Sequence, residues 1–214
     1  MSAPDSFATE APLVALHEAA KSYSGRCVLR IGQFALMRGD SLLIVGANGS
    51  GKSTLLRMLA GVTRPSSGRV EHAPGFDALD IAYVPQSGGA HPNLSVSENL
   101  RQALRLRGRT LPERLQRHWY VGGLGLDAHL DKRFRDLSGG FQRLAALTCA
   151  LVVEPGALFI DEPSSGVDAQ HAQTLADGLS AAMSHLDLLV LSGHSAADFP
   201  PARRRIELRG GEPV

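Results

Sequence analysis

Short apolar runs separated by glycine-rich and polar breaks set the pattern of this chain. Leu13-Val14-Ala15-Leu16, Val28-Leu29-Arg30-Ile31 and Phe34-Ala35-Leu36 predict three short strands, with turns at Ser24-Gly25 and Gly39-Asp40. Leu42-Leu43-Ile44-Val45 is an uninterrupted apolar run and predicts a further strand. A helix-like stretch over 55–60 follows and ends at Gly61. Past a loop over 63–68, Arg69-Val70-Glu71 predicts a short strand, and Ile81-Ala82-Tyr83-Val84 a buried one closed by Pro85-Gln86.

The period then changes. Ser95-Val96-Ser97-Glu98 is a helix-start signature, and 99–109 carries apolar residues at helical spacing with arginines between them. A second helical stretch over 112–120 and a turn at Gly122-Gly123-Leu124-Gly125 lead to Leu137, so the block from about 91 to 150 is expected to be mostly helical. Ala157-Leu158-Phe159-Ile160 is the clearest buried strand, closed by Asp161-Glu162-Pro163. A helix over 169–184, a strand at Leu188-Leu189-Val190-Leu191 and a terminal strand at Arg205-Ile206-Glu207-Leu208 complete the order. Strands alternating with helices predict an α/β fold with a mostly parallel sheet and a helical insertion. Residues 1–11 are small and polar and are expected to be a disordered lead-in, leaving 12–214 as one domain.

Composition narrows the function classes. The chain has 214 residues, 43% apolar and 20% charged, with a net charge of +1. That is an ordinary soluble balance, and it argues against nucleic acid as a partner. Cys27 and Cys149 show no metal-ligand or paired spacing, so a reducing, cytoplasmic setting is expected. The first twenty residues carry Asp5, Glu10 and Glu18 and no basic region, unlike a secretory signal. No run reaches the roughly 18 apolar residues of a membrane span, so any membrane role needs another chain.

The candidate chemistry begins between the apolar run at 42–45 and the helix that follows. Gly46-Ala47-Asn48-Gly49-Ser50-Gly51-Lys52-Ser53-Thr54 fits G-x-x-x-x-G-K-[S/T] at every fixed position, in the strand–loop–helix setting that pattern requires. Glycines let backbone N–H groups turn toward an anion, the helix N-terminus adds partial positive charge, and Lys52 reaches the terminal phosphates. Ser53 is the natural Mg2+ ligand. The rival G-x-G-x-x-G pattern fails, because the glycines fall at 46, 49 and 51.

A phosphate loop needs an acidic strand end to hold magnesium, and Asp161 after Leu158-Phe159-Ile160 supplies one. Glu162 beside it can polarise an attacking water. A third element, Leu137-Ser138-Gly139-Gly140-Phe141-Gln142-Arg143, opens an apolar helix with a serine and two glycines, a second anion cradle.

With both cradles in one chain, the sequence resembles the ATP-binding cassette of ABC transporters, whose LSGGQ signature is similar to residues 137–141. The resemblance runs from about 13 to 211, with the motifs in the family's order. It implies a P-loop NTPase core with an N-terminal antiparallel β subdomain and an inserted helical subdomain. It also implies that Tyr23 stacks on adenine, that Gln86 joins the metal site and senses a partner, that Ser164-Ser165-Gly166-Val167-Asp168 is the D-loop, and that His194 is the switch histidine. The cofactors implied are ATP and Mg2+, with Ser53, Gln86 and Asp161 on the metal, Glu162 as general base, and Lys52 and His194 on the γ-phosphate.

The implied mechanism is a head-to-tail dimer in which one subunit's phosphate loop and the other's Ser138, Gly139 and Gly140 sandwich ATP. The partners implied are a second ABC ATPase subunit, identical or related, and a transmembrane permease contacted by residues around 87–99. The chain would then sit peripherally at the inner face of the cell membrane. Phe141 departs from the signature glutamine, and Leu144 and Cys149 stand where the family often has arginines. His171, His185 and the Arg203-Arg204-Arg205 run are expected at the surface. Two alternatives stay open: a soluble ABC-type mechanoenzyme, and a P-loop small-molecule kinase, which leaves residues 137–140 and His194 unexplained. The short tail after His194 and the absence of a TEVGERG-like segment at 132–136 make a small exporter subunit the expectation.

Overall fold

The computed structural model describes residues 11–76, 78–110, 119–195, 199 and 202–214. The expected lead-in over 1–11 and helix over 112–120 lie almost wholly outside them. Two sheets organise the rest. β1 (Val14–Tyr23), β2 (Arg26–Leu36) and β4 (Ser67–His72) form an antiparallel sheet in the order β2-β1-β4. The second sheet has the order β5-β6-β7-β3-β8-β9, from β3 (Asp40–Gly46), β5 (Ile81–Val84), β6 (Ala157–Ile160), β7 (Leu188–Gly193), β8 (Arg204–Arg209) and β9 (Glu212–Pro213). All its pairings are parallel except β8 with β9.

The apolar runs in β3, β6 and β7 are explained by two cores. Leu43, Val45, Leu158, Ile160, Leu189 and Leu191 face one cluster, which contains α2 (Val96–Arg105), α4 (Gly139–Leu151) and α5 (Ala169–Ala182). Leu42, Ile44, Ala157, Phe159, Leu188 and Val190 face the other, with β1, β2 and α1 (Lys52–Leu59). Alternate side chains therefore leave the strand on opposite faces, and both faces are covered.

The β1–β2 hairpin turns at Ser24 and Gly25, both at positive φ (49° and 79°), as a two-residue turn matched to strand twist requires. The two strands expected at 28–31 and 34–36 are one continuous strand, because Gln33 pairs with His17 of β1 and keeps the ladder unbroken. Among the described residues the helical block holds as α2, α3 (Trp119–Gly123) and α4, with two short 3-10 turns between α3 and α4. α2 ends at Arg105, earlier than the expected 109. Gly122 and Gly123 belong to α3, and only then does the chain turn, at Gly125.

Ser95 caps α2 as a full capping box: its Oγ accepts from Glu98 N at 3.2 Å, and its own N–H donates to Glu98 Oε2 at 2.7 Å. Ser95→Ala is expected to lower the unfolding free energy by about 1 kcal/mol. Urea denaturation followed by circular dichroism checks it, and an unchanged midpoint would remove the cap's contribution.

Candidate functional site

Parallel pairing brings the carboxyl ends of β3, β6, β7 and β5 to one edge of the sheet. In register, Val45 stands beside Gly193, Ile160 beside Leu191, and Val84 beside Ile160. The phosphate loop, Asp161-Glu162, His194 and Gln86, each just beyond one of these ends, therefore converge although up to 148 positions separate them in sequence (194 − 46).

A cleft of about 480 Å3 opens there, lined by Tyr23, Val28, Asn48, Gly49, Gly51, Lys52, Ser53, Thr54, Gln86 and Glu162. Lys52 opens α1 behind Gly51, its N-cap. The first-turn N–H groups of that helix have no helical acceptor, which leaves them for an anion. Gly46 and Ser50 lie beneath the loop and do not line the cleft. A Cβ on Gly46 would come within 2.5 Å of Ser50 Oγ and 2.6 Å of Leu208 O, so only glycine fits. Ser50 N donates back to Ala47 O at 3.1 Å. Gly51 has φ 100°, and a Cβ there would meet Val28 O at 3.0 Å.

The polar groups form one connected cluster. Lys52, 4% exposed, donates through Nζ to Gly46 O (2.9 Å) and Ala47 O (3.2 Å) and stands 3.4 Å from Glu162 Oε1. Gln86 Nε2 donates to Glu162 Oε2 at 2.8 Å, and His194 Nε2 is 3.3 Å from Glu162 Oε1. The buried carboxylate is thus ringed by a cation, an amide and an imidazole, the compensation a buried charge needs. Glu162 also has φ 48°, a left-handed conformation that costs a non-glycine residue about 1–3 kcal/mol and that clusters at functional sites.

Ser53 Oγ donates to Asp161 Oδ1 at 3.0 Å. Asp161 Oδ2 is buried and has no hydrogen-bond partner among the described residues. A hydroxyl beside a carboxylate oxygen left open is a donor set that suits a hard divalent cation. Gln86, grouped with them in the sequence, reaches Glu162 instead.

Two residues here escaped the sequence reading. Ser192 Oγ donates to Asp161 Oδ1 at 2.7 Å and accepts from Glu162 N at 2.9 Å, so one buried hydroxyl fixes both acidic residues. It is the only hydroxyl in the otherwise apolar β7. Arg143, the only charged residue of α4, is 9% exposed and donates to Pro85 O at 3.3 Å, next to Gln86; burial holds its guanidinium below its ordinary range. Ser192→Ala would leave the Glu162 N–H without its acceptor, with an expected loss of about 1–3 kcal/mol of stability in urea titration. An unchanged midpoint would mean that water replaces the hydroxyl at no cost.

Tyr23, at the end of β1, is 46% exposed, with Lys21 Nζ 5.3 Å from its ring centre. The second cradle is built as expected: Ser138 caps α4, accepting from Phe141 N at 3.4 Å, and Gly139 and Gly140 form its first turn. None of the three lines the cleft. Asp168 caps α5; the His171 and Gln170 N–H groups that it accepts at 3.1 Å hold its carboxyl below the usual carboxylate range. His171, expected at the surface, is instead packed against Gly140, whose Cβ would meet its Cγ at 2.6 Å. His185 is exposed as expected. Arg203 and Arg205 are exposed as expected, while Arg204 between them is partly buried, donating to Ala35 O at 2.9 Å and lying 5.4 Å over the Phe34 ring.

The family model described as ABC transporter matches residues 29–165, more than half of the chain. The chain belongs to the ABC transporter family. Among curated relatives it is 36% identical to the zinc import ATP-binding protein ZnuC of Halorhodospira halophila, over 76% of this chain and 60% of that one. It is 36% identical to the tungstate uptake system ATP-binding protein TupC of Peptoclostridium acidaminophilum, over 72% of this chain and 74% of that one. It is 37% identical to the sn-glycerol-3-phosphate import ATP-binding protein UgpC of Paracoccus denitrificans, over 73% and 46%. The chain spans about six-tenths of the length of the zinc-import relatives.

Among solved structures, the dimeric ATP-binding cassette MJ0796 superposes with a TM-score of 0.81 at 23% identity, over 94% of this chain and 96% of that one. The cbiO1 cassette of Clostridium perfringens gives 0.77 at 25%, over 96% and 88%. The P-loop NTPase fold with its antiparallel and helical subdomains therefore stands. The expectation of export finds no support in these relatives, which are named for import or uptake. Among the described residues, no helix is long and apolar enough to cross a membrane.

Proposed function

We propose that this chain is the ATP-binding and ATP-hydrolysing subunit of an uptake transporter, acting on a separate membrane permease from the inner face of the cell membrane. One observation carries the reading: Ser53 and Asp161 share a hydrogen bond, and Glu162 sits beside them, at the mouth of a phosphate loop. In this reading ATP occupies the cleft, with Tyr23 against adenine, the first-turn N–H groups and Lys52 on the phosphates, and Asn48, Gly49, Gly51 and Thr54 lining the path. Ser53 Oγ and Asp161 Oδ2 hold Mg2+, which when bound offsets charge on the phosphate oxygens. Glu162 accepts the proton of the attacking water, Gln86 and Lys52 hold its carboxylate in position, and His194 reaches the γ-phosphate.

Ser138, Gly139 and Gly140 lie outside the cleft, which supports a second subunit bringing its own turn to complete the site. The second subunit is either a copy of this chain or a related one. A small-molecule kinase has no use for that second cradle, and the transporter-subunit names of the relatives favour a permease partner over a soluble mechanoenzyme. The import names of the relatives support uptake over export, while zinc, tungstate and sn-glycerol-3-phosphate are too different to indicate a cargo. Isolation of the chain from its own membranes in mild detergent is expected to retain a multi-span protein and Mg2+-dependent ATPase activity. Recovery of an active ATPase with no membrane partner would favour the soluble mechanoenzyme.

A further inference from the structure

The family's signature glutamine is replaced by Phe141, and the structure gives that ring a different surrounding. It is half-buried between two imidazoles, 4.1 Å from the His129 ring centre and edge-on to His171 at 4.7 Å and 76°. His171 Nδ1 is in turn 2.6 Å from Asp168 Oδ2, and its ring covers the α-carbon of Gly140. A Cβ on Gly139 would lie 3.6 Å from Gly166 O. The serine–glycine turn and the acidic loop before α5 thus meet at two glycines, with His171 filling the joint.

On the composite-site reading, we propose that His171 is a positioning residue: with Phe141 it locks residues 138–140 to the 164–168 loop, so that both reach a partner subunit as one preformed surface. The chemistry fits this role. The serine–glycine turn offers only backbone donors and one hydroxyl to a phosphate, so its affinity depends on those donors being fixed beforehand. Two glycines in succession leave the backbone free to lose that geometry. A planar ring that excludes any side chain at Gly140, anchored by a hydrogen bond to the α5 cap, removes the freedom. The Phe141 ring packs edge-on against His171 and also against His129, the edge-on geometry being one that aromatic pairs favour. Here the stack takes the place of a polar side chain, trading a direct contact for rigidity.

The test uses the full chain carrying Glu162→Gln, so that bound ATP persists, with dimerisation followed by light scattering and nucleotide binding by titration of a ribose-labelled fluorescent ATP. His171→Ala is expected to weaken ATP-driven dimerisation about tenfold, the upper scale of one aromatic pair, with the solvent-exposed bond to Asp168 adding little. Nucleotide affinity of the separate subunit should stay within about twofold, because the phosphate loop is untouched. His171→Asn, which returns a donor toward Asp168, should recover part of the loss. Unchanged dimerisation in His171→Ala would overturn the proposal, as would an equal loss of nucleotide affinity, which signals general damage. If His171→Ala does not fold, Phe141→Ala, which removes the same edge contact, is judged by the same two criteria. Failure of the Glu162→Gln parent itself to dimerise with ATP would overturn the composite-site reading, a result separate from either of these.

Discussion

Replacing Glu162 by glutamine is expected to lower ATP turnover by about 100- to 10,000-fold, the range that a positioned general base contributes. The substitution keeps the side chain's shape and removes its ability to take a proton. In the structure both carboxylate oxygens are engaged: Oε2 accepts from Gln86, and Oε1 faces Lys52 and His194. An amide loses the attraction to Lys52 but preserves the packing, and the backbone stays in its left-handed conformation through the Ser192 bond. Nucleotide binding should therefore survive. Steady-state phosphate release checks the rate, and equilibrium titration checks the binding. A near-normal rate would remove Glu162 from the proposed base role and leave His194 the next candidate.

Lys52→Ala is expected to weaken ATP binding by about 10- to 100-fold, since each hydrogen bond to a charged group is worth about 1.5–3 kcal/mol and 1.4 kcal/mol is a factor of ten. The structure adds a second consequence. Lys52 Nζ is the cation facing the buried Glu162 at 3.4 Å, so its removal leaves that carboxylate to Gln86 and His194. Breaking a buried pair on one side is destabilising, and a lower denaturation midpoint should accompany the weaker binding. Affinity measured with a fluorescent ATP analogue separates the two effects, because the apo protein's midpoint reports only the second. Unchanged affinity would detach the loop from the nucleotide.

Much of the site was legible because its residue types are forced by local chemistry. Gly46, Gly51 and Lys52 stand at fixed spacing because the loop closes on itself: the close approaches of Ser50 Oγ and Leu208 O leave no room for a side chain at Gly46, and Gly51 has φ 100°, a conformation that favours glycine. The capping box at Ser95 and Glu98 and the cap at Ser138 are likewise short-range bonds that a sequence can announce. Ser192 and Arg143 were not legible in that way. Each is an isolated polar residue in an apolar element, and its meaning depends on which strand or loop end it meets across the sheet. His171 is similar: three residues beyond its own cap, it packs against a glycine 31 positions earlier in the chain.

By itself the sequence determined the alternation of strands and helices, the phosphate loop, the acidic strand end and the second cradle, because those are set by contacts within a few residues. The tertiary structure decided which strand ends stand side by side, that Gln86 meets Glu162 and not the Ser53–Asp161 pair, and that the second cradle lies outside the first one's cleft. The reason is physical. Register in a parallel sheet comes from covering both faces of β3, β6 and β7 at once, and that packing couples residues more than a hundred positions apart, where no local pattern reaches.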